Sequence, residues 1–271
     1  MRNEFRRSPS LLEAAVMPLA APLIPGNRLS DRYQILRLLG EGGFSYTFLA
    51  EDCHWPSRRH CAVKQLKTPF QASWEEAKRL FFAEAQTLEQ LGKHPQIPEL
   101  YAYFEEEQQF FLVQEYVEGQ SLAAELHLDA PQPALKSEAA AIALLQEILE
   151  ILVFVHDHRA IHRDIKPDNL LRRRDGRLEL IDFGAVKLAA SQLLSRQGLP
   201  TLAIGTPGYC PPEQQRGTPF LSSDIYAVGM VAVAALTGRS PHLLAVDPGT
   251  GAVDWQELVS ISPGLGKFWR P

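Results

Sequence analysis

The carboxylates of Asp164 and Asp182, the amide of Asn169 and the lysine Lys166 gather in His162-Arg163-Asp164-Ile165-Lys166-Pro167-Asp168-Asn169 and in Ile181-Asp182-Phe183-Gly184. Asp164 and Asp182 are 18 positions apart, so one β-hairpin between them brings both to a single cleft. Loops held by strands are where catalytic groups usually sit. A carboxylate to orient a hydroxyl, a carboxylate and an amide to hold Mg²⁺, and a lysine to steady a phosphate are the parts that phosphoryl transfer needs.

The hairpin that must carry these groups turns at Asp175-Gly176, a dipeptide suited to type I′ geometry. Arg172, Arg173, Arg174 and Arg177 cluster at its tip and read as a solvated turn, with an anion or protein docking patch as the alternative. Ahead of it, the spacing predicts a long helix over 137–157 carrying apolar Ile142, Leu145, Leu149, Leu152 and Val153. After it, 224–236 is apolar nearly all round, as a buried helix would be. His156 and His158 flank one aspartate, and a solvated helix end is the preferred reading over a metal pair. His162 reads as a packed core histidine rather than an acid–base group.

Upstream, the pattern favours strands. The segments 33–39 and 46–50 flank Gly40-Glu41-Gly42-Gly43, a glycine-rich hairpin, and 61–66 is a third strand. Two more are expected near 101–104 and 110–113, separated by the polar run 105–109. A helix interrupts them. Ser73-Trp74-Glu75-Glu76 fits a capping box, and Phe81, Leu88 and Leu91 follow at helical spacing. Glu84 lies on that apolar stripe, where a carboxylate is costly unless paired. Lys64, on the neighbouring strand, is the candidate partner.

The 271 residues are 45% hydrophobic and 22% charged, ordinary for a globular protein, and no internal repeat is apparent. A net charge of −5 argues against a nucleic-acid binder. Three cysteines, Cys53, Cys61 and Cys210, fit free thiols in a reducing cytoplasm better than a disulfide scaffold. No uninterrupted apolar run reaches the length of a membrane span. Three arginines before the apolar run 11–24 look faintly like a signal peptide, but Glu13 and Pro18 interrupt it. Residues 1–30 are expected to form a loose extension.

Taken together these residues resemble the eukaryotic-type (Hanks-type) serine/threonine protein kinases, particularly their bacterial branch. The landmarks run in that family's order: Gly40-x-Gly42, Ala62-Val63-Lys64, Glu84, His162-Arg163-Asp164, Asn169, Asp182-Phe183-Gly184, Pro211-Pro212-Glu213 and Asp224. The resemblance implies an α+β, bilobal fold. Residues 31–117 would form an antiparallel β-sheet lobe with one regulatory helix. Residues 118–271 would form a mainly α-helical lobe, shortened after about residue 238.

It also implies roles. ATP would lie under Gly40, Glu41, Gly42 and Gly43, beside Ala62, with Lys64 on its phosphates and Glu84 holding Lys64. Glu115 and Val117 would offer backbone groups to adenine, with Gln114 behind them. Asp164 would accept the proton of a protein serine or threonine hydroxyl and Lys166 would steady the transferred group. Asn169 and Asp182 would hold Mg²⁺. Thr206 would help dock the substrate peptide, and Arg163 implies an activation segment phosphorylated at Ser191, Ser195 or Thr201, with Thr201 ranked first.

Two departures accompany the resemblance. Ser45 replaces the third glycine of the loop, with a modest expected cost in nucleotide affinity. After Thr237 only 34 residues remain, rich in proline and glycine, and neither Arg239 nor Arg270 is a convincing partner for Glu213. Part of the apolar helix at 224–236 would then lie exposed, available to a covering partner. The leading expectation is a protein serine/threonine kinase. The alternative is an ATP-binding, weakly active or inactive docking module, and a small-molecule kinase is disfavoured by the peptide-docking segment 205–213.

Overall fold

The computed structural model describes residues 21–43, 45–67, 74–128, 137–183, 205–247, 249, 252–259 and 262. The alternating residues of the first lobe form a six-stranded antiparallel sheet in the order β1-β2-β3-β4-β6-β5. Its strands are β1 (Arg28–Leu29), β2 (Tyr33–Glu41), β3 (Ser45–Asp52), β4 (His60–Leu66), β5 (Leu100–Glu106) and β6 (Gln109–Glu115). Arg28 and Leu29, expected in a loose extension, pair with Gln34 and Tyr33 of β2. Gln65 also binds the carbonyl of Ala21 and the N–H of Leu23, so the segment 21–29 packs on the sheet.

Period-2 alternation gives this sheet two different faces. Tyr33, Ile35, Phe48, Ala50, Cys61, Val63, Phe111 and Val113 form one apolar cluster. On the other face lies helix α1 (Trp74–Leu91), whose Phe81, Ala85, Leu88 and Leu91 join Phe110 and Leu112 in the main core. Lys64 pairs across the strands with Leu112, and directly opposed residues share a face. Lys64 is therefore aimed at α1 by register alone. Ser73 of the expected capping box lies outside the described residues.

The second lobe starts with β7 (Gly119–Ser121), followed by α2 (Leu122–Leu126) and α3 (Glu138–Asp157). Strands β8 (Leu170–Arg173) and β9 (Leu178–Leu180) complete a three-stranded antiparallel sheet, β7-β8-β9. Gly119 is needed where β7 crosses β8, because a Cβ there would stand 2.5 Å from the Arg172 carbonyl oxygen. The hairpin turn corrects one expectation. Only Gly176 has a positive φ (89°), whereas type I′ needs two such residues. Arg173 accepts from the Gly176 N–H, and the loop closes through Arg173 N–H to Arg177 oxygen, leaving a three-residue connection with left-handed glycine.

Helices α4 (Pro212–Gln215) and α5 (Leu221–Thr237) follow, and a two-stranded ribbon pairs β10 (Ala245–Val246) with β11 (Val253–Asp254). α3 is apolar and long enough to cross a membrane by length and composition, but it packs against α5 through Ala141, Leu144, Ile148, Ile151, Leu152 and Val155. Of the apolar residues singled out in the sequence only Leu152 is buried, and Ile142, Leu149 and Val153 face outward. Gln146 and Glu150 are exposed on that same outward face, so the polar positions of α3 mark its solvent side better than the apolar ones do. In α5, Ala227, Val228, Met230, Val231, Val233 and Leu236 join the core with Leu244 and Trp255. Exposure is confined to the start, at Phe220, Leu221, Ile225 and Tyr226.

Candidate active site

Register and helix periodicity bring Lys64 to Glu84. The ammonium lies 3.7 Å from Glu84 Oε1 and 3.2 Å from Asp182 Oδ1. Burial pulls its pKa down, but Asp182 and then Glu84 outweigh burial, and the net direction is up. Lys64 thus stays charged and links the sheet, α1 and the end of the β8–β9 hairpin. Asp182 adopts φ 61° and its side chain keeps 41% of its surface open, facing a space that a ligand can reach.

One buried carboxylate organises the loop before β8. Asp224, in the first turn of α5, accepts the N–H of His162 on Oδ2 and of Arg163 on Oδ1, each at 2.9 Å. His156 Nε2 lies 3.0 Å from the same Oδ2, so this histidine braces the loop and does not sit at a solvated helix end. His158 does remain exposed. His162 is a packed core histidine: Nε2 meets the Ile181 carbonyl at 3.0 Å, and Nδ1 faces the Asp164 N–H at 3.3 Å. Burial holds its pKa below the ordinary value. Phe183 covers it, with ring centroids 4.5 Å apart.

Asp164 is nearly enclosed and held from several sides. Asn169 Nδ2 donates to its carbonyl (2.7 Å) and to Oδ2 (2.9 Å). Thr206 Oγ1 donates to Oδ1 at 3.0 Å and itself accepts from Lys166 Nζ at 3.1 Å. Lys166 Nζ is 3.6 Å from Asp164 Oδ2. The N–H of Ile181 donates to the Asn169 carbonyl at 2.9 Å, which ties the two ends of the hairpin together. With Nδ2 committed to Asp164, the atom Asn169 can offer a cation is Oδ1. Asp182 adds carboxylate oxygens. These are hard donors of the kind Mg²⁺ takes when phosphates and water complete its shell.

The glycine loop joins β2 to β3. A Cβ at Gly40 or Gly43 would meet nothing within 4 Å, and neither residue has a positive φ. The protein itself makes no demand for glycine there, which fits close approach by a bound phosphate. Gly42 donates to the Ser45 carbonyl at 2.8 Å, so Ser45 anchors the loop where it opens β3. Lys67, which the sequence reading passed over, reaches Glu41 Oε1 (2.7 Å) and the Gly42 carbonyl (2.8 Å) and lies over the Tyr46 ring. Ala62 pairs with Gln114, and β6 ends at Glu115. Tyr116 to Glu118, with buried Val117, bridge to β7 and belong to neither ladder.

The hairpin-tip arginines are solvated at Arg174 and Arg177, as a turn implies, while Arg172 and Arg173 are half-buried, and all four pair with carboxylates: Arg172 with Glu125 and Glu147, Arg173 with Glu115 and Glu179, Arg174 with Glu118 and Arg177 with Asp175. Glu213 takes its partner from Ser223, whose Oγ donates to Oε1 at 2.7 Å while accepting the Phe220 N–H. Arg163 is largely buried, its Nε has no hydrogen-bond partner among the described residues, and burial lowers its pKa. Gly184, Ser191, Ser195 and Thr201 lie outside the described residues.

Comparison with known proteins identifies the family. Residues 33–261 match the protein kinase domain family. The chain is 46% identical over 245 residues to the serine/threonine-protein kinase PknA of Nostoc sp., covering 88% of this chain and 43% of that protein. It is 45% identical over 252 residues to serine/threonine-protein kinase C of Synechocystis sp., covering 90% and 46% respectively. The chain therefore spans less than half the length of these relatives. The kinase domain of Mycobacterium tuberculosis PknI superposes with a TM-score of 0.65 at 22% identity, covering 92% of this chain and 88% of that one. At that identity the likeness concerns the fold alone.

Proposed function

The chain belongs to the protein kinase family, in its bacterial serine/threonine branch, and we propose that it transfers the γ-phosphoryl group of ATP to serine or threonine hydroxyls of proteins. The observation that carries this reading is the convergence of Lys64, Glu84 and Asp182 on the hairpin that also holds Asp164 and Asn169.

In this reading adenine lies against Ala62 and the backbone of Glu115 and Val117, with Gln114 behind. Gly40, Glu41, Gly42 and Gly43 form the cover over the phosphates, and Lys64 binds the α- and β-phosphates. Asn169 Oδ1 and the Asp182 carboxylate would hold Mg²⁺. Bound there, the cation supplies positive charge against the phosphate oxygens as negative charge develops on them.

Asp164 orients the acceptor hydroxyl and receives its proton. The hydroxyl oxygen bonds to the γ-phosphorus as the bond to the bridging oxygen breaks, and ADP leaves with that electron pair. Lys166 offers its ammonium to the group in transit. Positioning and charge stabilisation, rather than covalent chemistry, are the protein's contribution. Thr206 bridges Asp164 and Lys166, which supports an acceptor peptide running past that point. The buried guanidinium of Arg163 favours an anionic partner, and a phosphorylated residue of the activation segment, Thr201 first, is the reading that fits.

The test is incubation of the chain with labelled ATP, Mg²⁺ and a generic protein acceptor, followed by phosphoamino-acid analysis. Label on serine or threonine that Asp164→Asn abolishes supports the reading. Nucleotide binding without Asp164-dependent transfer would replace it with a docking module.

A further inference from the structure

Arg172, Arg173 and Arg174 stand side by side at the end of β8, and each is drawn to carboxylates on different elements. Arg172 Nε reaches Glu125 of α2 at 2.9 Å and its Nη1 reaches Glu147 of α3 at 3.2 Å. Arg174 meets Glu118 at 2.7 Å with both side chains largely in solvent, and such pairs contribute little. Arg173 differs from both. Its Nε donates to Glu179 of β9 and its Nη2 to Glu115, the last residue of β6. Glu179 is 1% exposed, so its charge depends on that guanidinium. A planar fork satisfies a carboxylate inside the hairpin and another across the lobe boundary at once, which a lysine cannot do with the same geometry.

The place of Glu115 gives this contact its consequence. β8 begins directly after Asn169, and β9 ends two residues before Asp182, so the hairpin is the frame of both cation ligands. Glu115 closes the last strand of the first lobe and leads into Tyr116–Glu118, the backbone edge assigned above to adenine. Among the described ion pairs, Arg173–Glu115 alone joins β6 to that hairpin. A nucleotide that engages both ends must span the gap between them.

We infer that Arg173 is a positioning residue, which through the Glu115 side chain sets the spacing between the adenine edge and the Asn169–Asp182 end of the cleft. The inference rests on the nucleotide reading of the site. Its effect falls on a ligand that touches both ends and spares one that touches only the adenine edge.

The test compares dissociation constants of Mg-ATP and of adenosine, by calorimetry, for the unaltered chain, Glu115→Ala, Arg173→Lys, their double variant and Arg174→Ala. Glu115→Ala cuts the arm that crosses between lobes, keeps the backbone groups assigned to adenine, and leaves the Arg173–Glu179 pair in place. Glu115→Ala and Arg173→Lys are each expected to weaken Mg-ATP roughly fivefold to tenfold and adenosine less than about twofold, as loss of spacing rather than of a contact predicts. The double variant should be no weaker than the singles, since both cut the same link. Arg174→Ala removes a neighbouring positive charge and should change neither constant. Equal weakening of both ligands, or no change in Mg-ATP, overturns the inference. Failure of the unaltered chain to bind Mg-ATP overturns instead the nucleotide reading beneath it.

Discussion

Asp224 Oδ1 accepts the backbone N–H of Arg163 at 2.9 Å, across 61 positions of sequence. Arg163 stands at φ 68°, a left-handed conformation that costs a non-glycine residue roughly 1–3 kcal/mol and persists only when its surroundings enforce it. The other oxygen of the same carboxylate takes the His162 N–H. Asp164, next along the chain, inherits its position from this clamp. In Asp224→Asn one acceptor oxygen becomes an NH₂ group facing a buried N–H. Each N–H so left unsatisfied costs about 1–3 kcal/mol. Urea denaturation should show the unfolding free energy falling by that amount, as a lower midpoint at unchanged slope, and an unaltered midpoint would mean that the clamp contributes nothing.

Ser223→Ala removes the donor to Glu213 and the acceptor of the Phe220 N–H in a single step. Loss of stability of about 1–2 kcal/mol is expected, and Ser223→Thr should restore most of it. A thermal melt of the three proteins decides the matter.

Much of the site was legible in the sequence because its chemistry is fixed by residue type in a fixed order. Lys64 and Glu84 could be paired on paper from a strand and an apolar helical stripe. What was not legible depended on who meets whom over long separations. Nothing local to Arg173 names Glu115, 58 positions away, or marks Glu179 as buried. His156 looked like a solvated helix end because Asp224 is 68 positions off. No partner for Glu213 could be named from the sequence, because a serine that both donates and accepts carries no charge signal. The face of α3 failed for another reason: Ile142, Leu149 and Val153 are apolar but share the outward side that carries exposed Gln146 and Glu150.

Lys67 pins the glycine loop through the Glu41 carboxylate and the Gly42 carbonyl. Lys67→Met keeps the bulk over Tyr46 and releases both bonds. The KM for ATP should rise roughly threefold to tenfold while kcat stays within about twofold, the pattern of a loosened cover rather than damaged chemistry. A fall in kcat at unchanged KM would contradict this role for Lys67.

Burial keeps His162 neutral in the fold, with Nε2–H donating to Ile181 and Nδ1 accepting from Asp164. Above about pH 6.5 the histidine is neutral in folded and unfolded chains alike, and it adds no pH dependence. As pH falls below that value the unfolded chain takes up a proton that the folded chain refuses. Stability should therefore decline with acidity by up to about 1.4 kcal/mol per pH unit from this residue. His162→Phe should flatten the fall in Tm between pH 7.5 and 5.5, and an equally steep fall in the variant would remove the histidine from the explanation.

The central claim is that Asp164 takes part in phosphoryl transfer and not in holding the nucleotide. The most direct measurement sets the single-turnover rate of transfer from Mg-ATP to a serine- or threonine-containing acceptor beside the Kd for Mg-ATP, in the unaltered chain and in Asp164→Asn. Loss of transfer by about 10²–10⁴-fold, the range of a general base, with Kd within about threefold is the predicted result. Transfer that survives the substitution, or a Kd that collapses with it, would contradict the account.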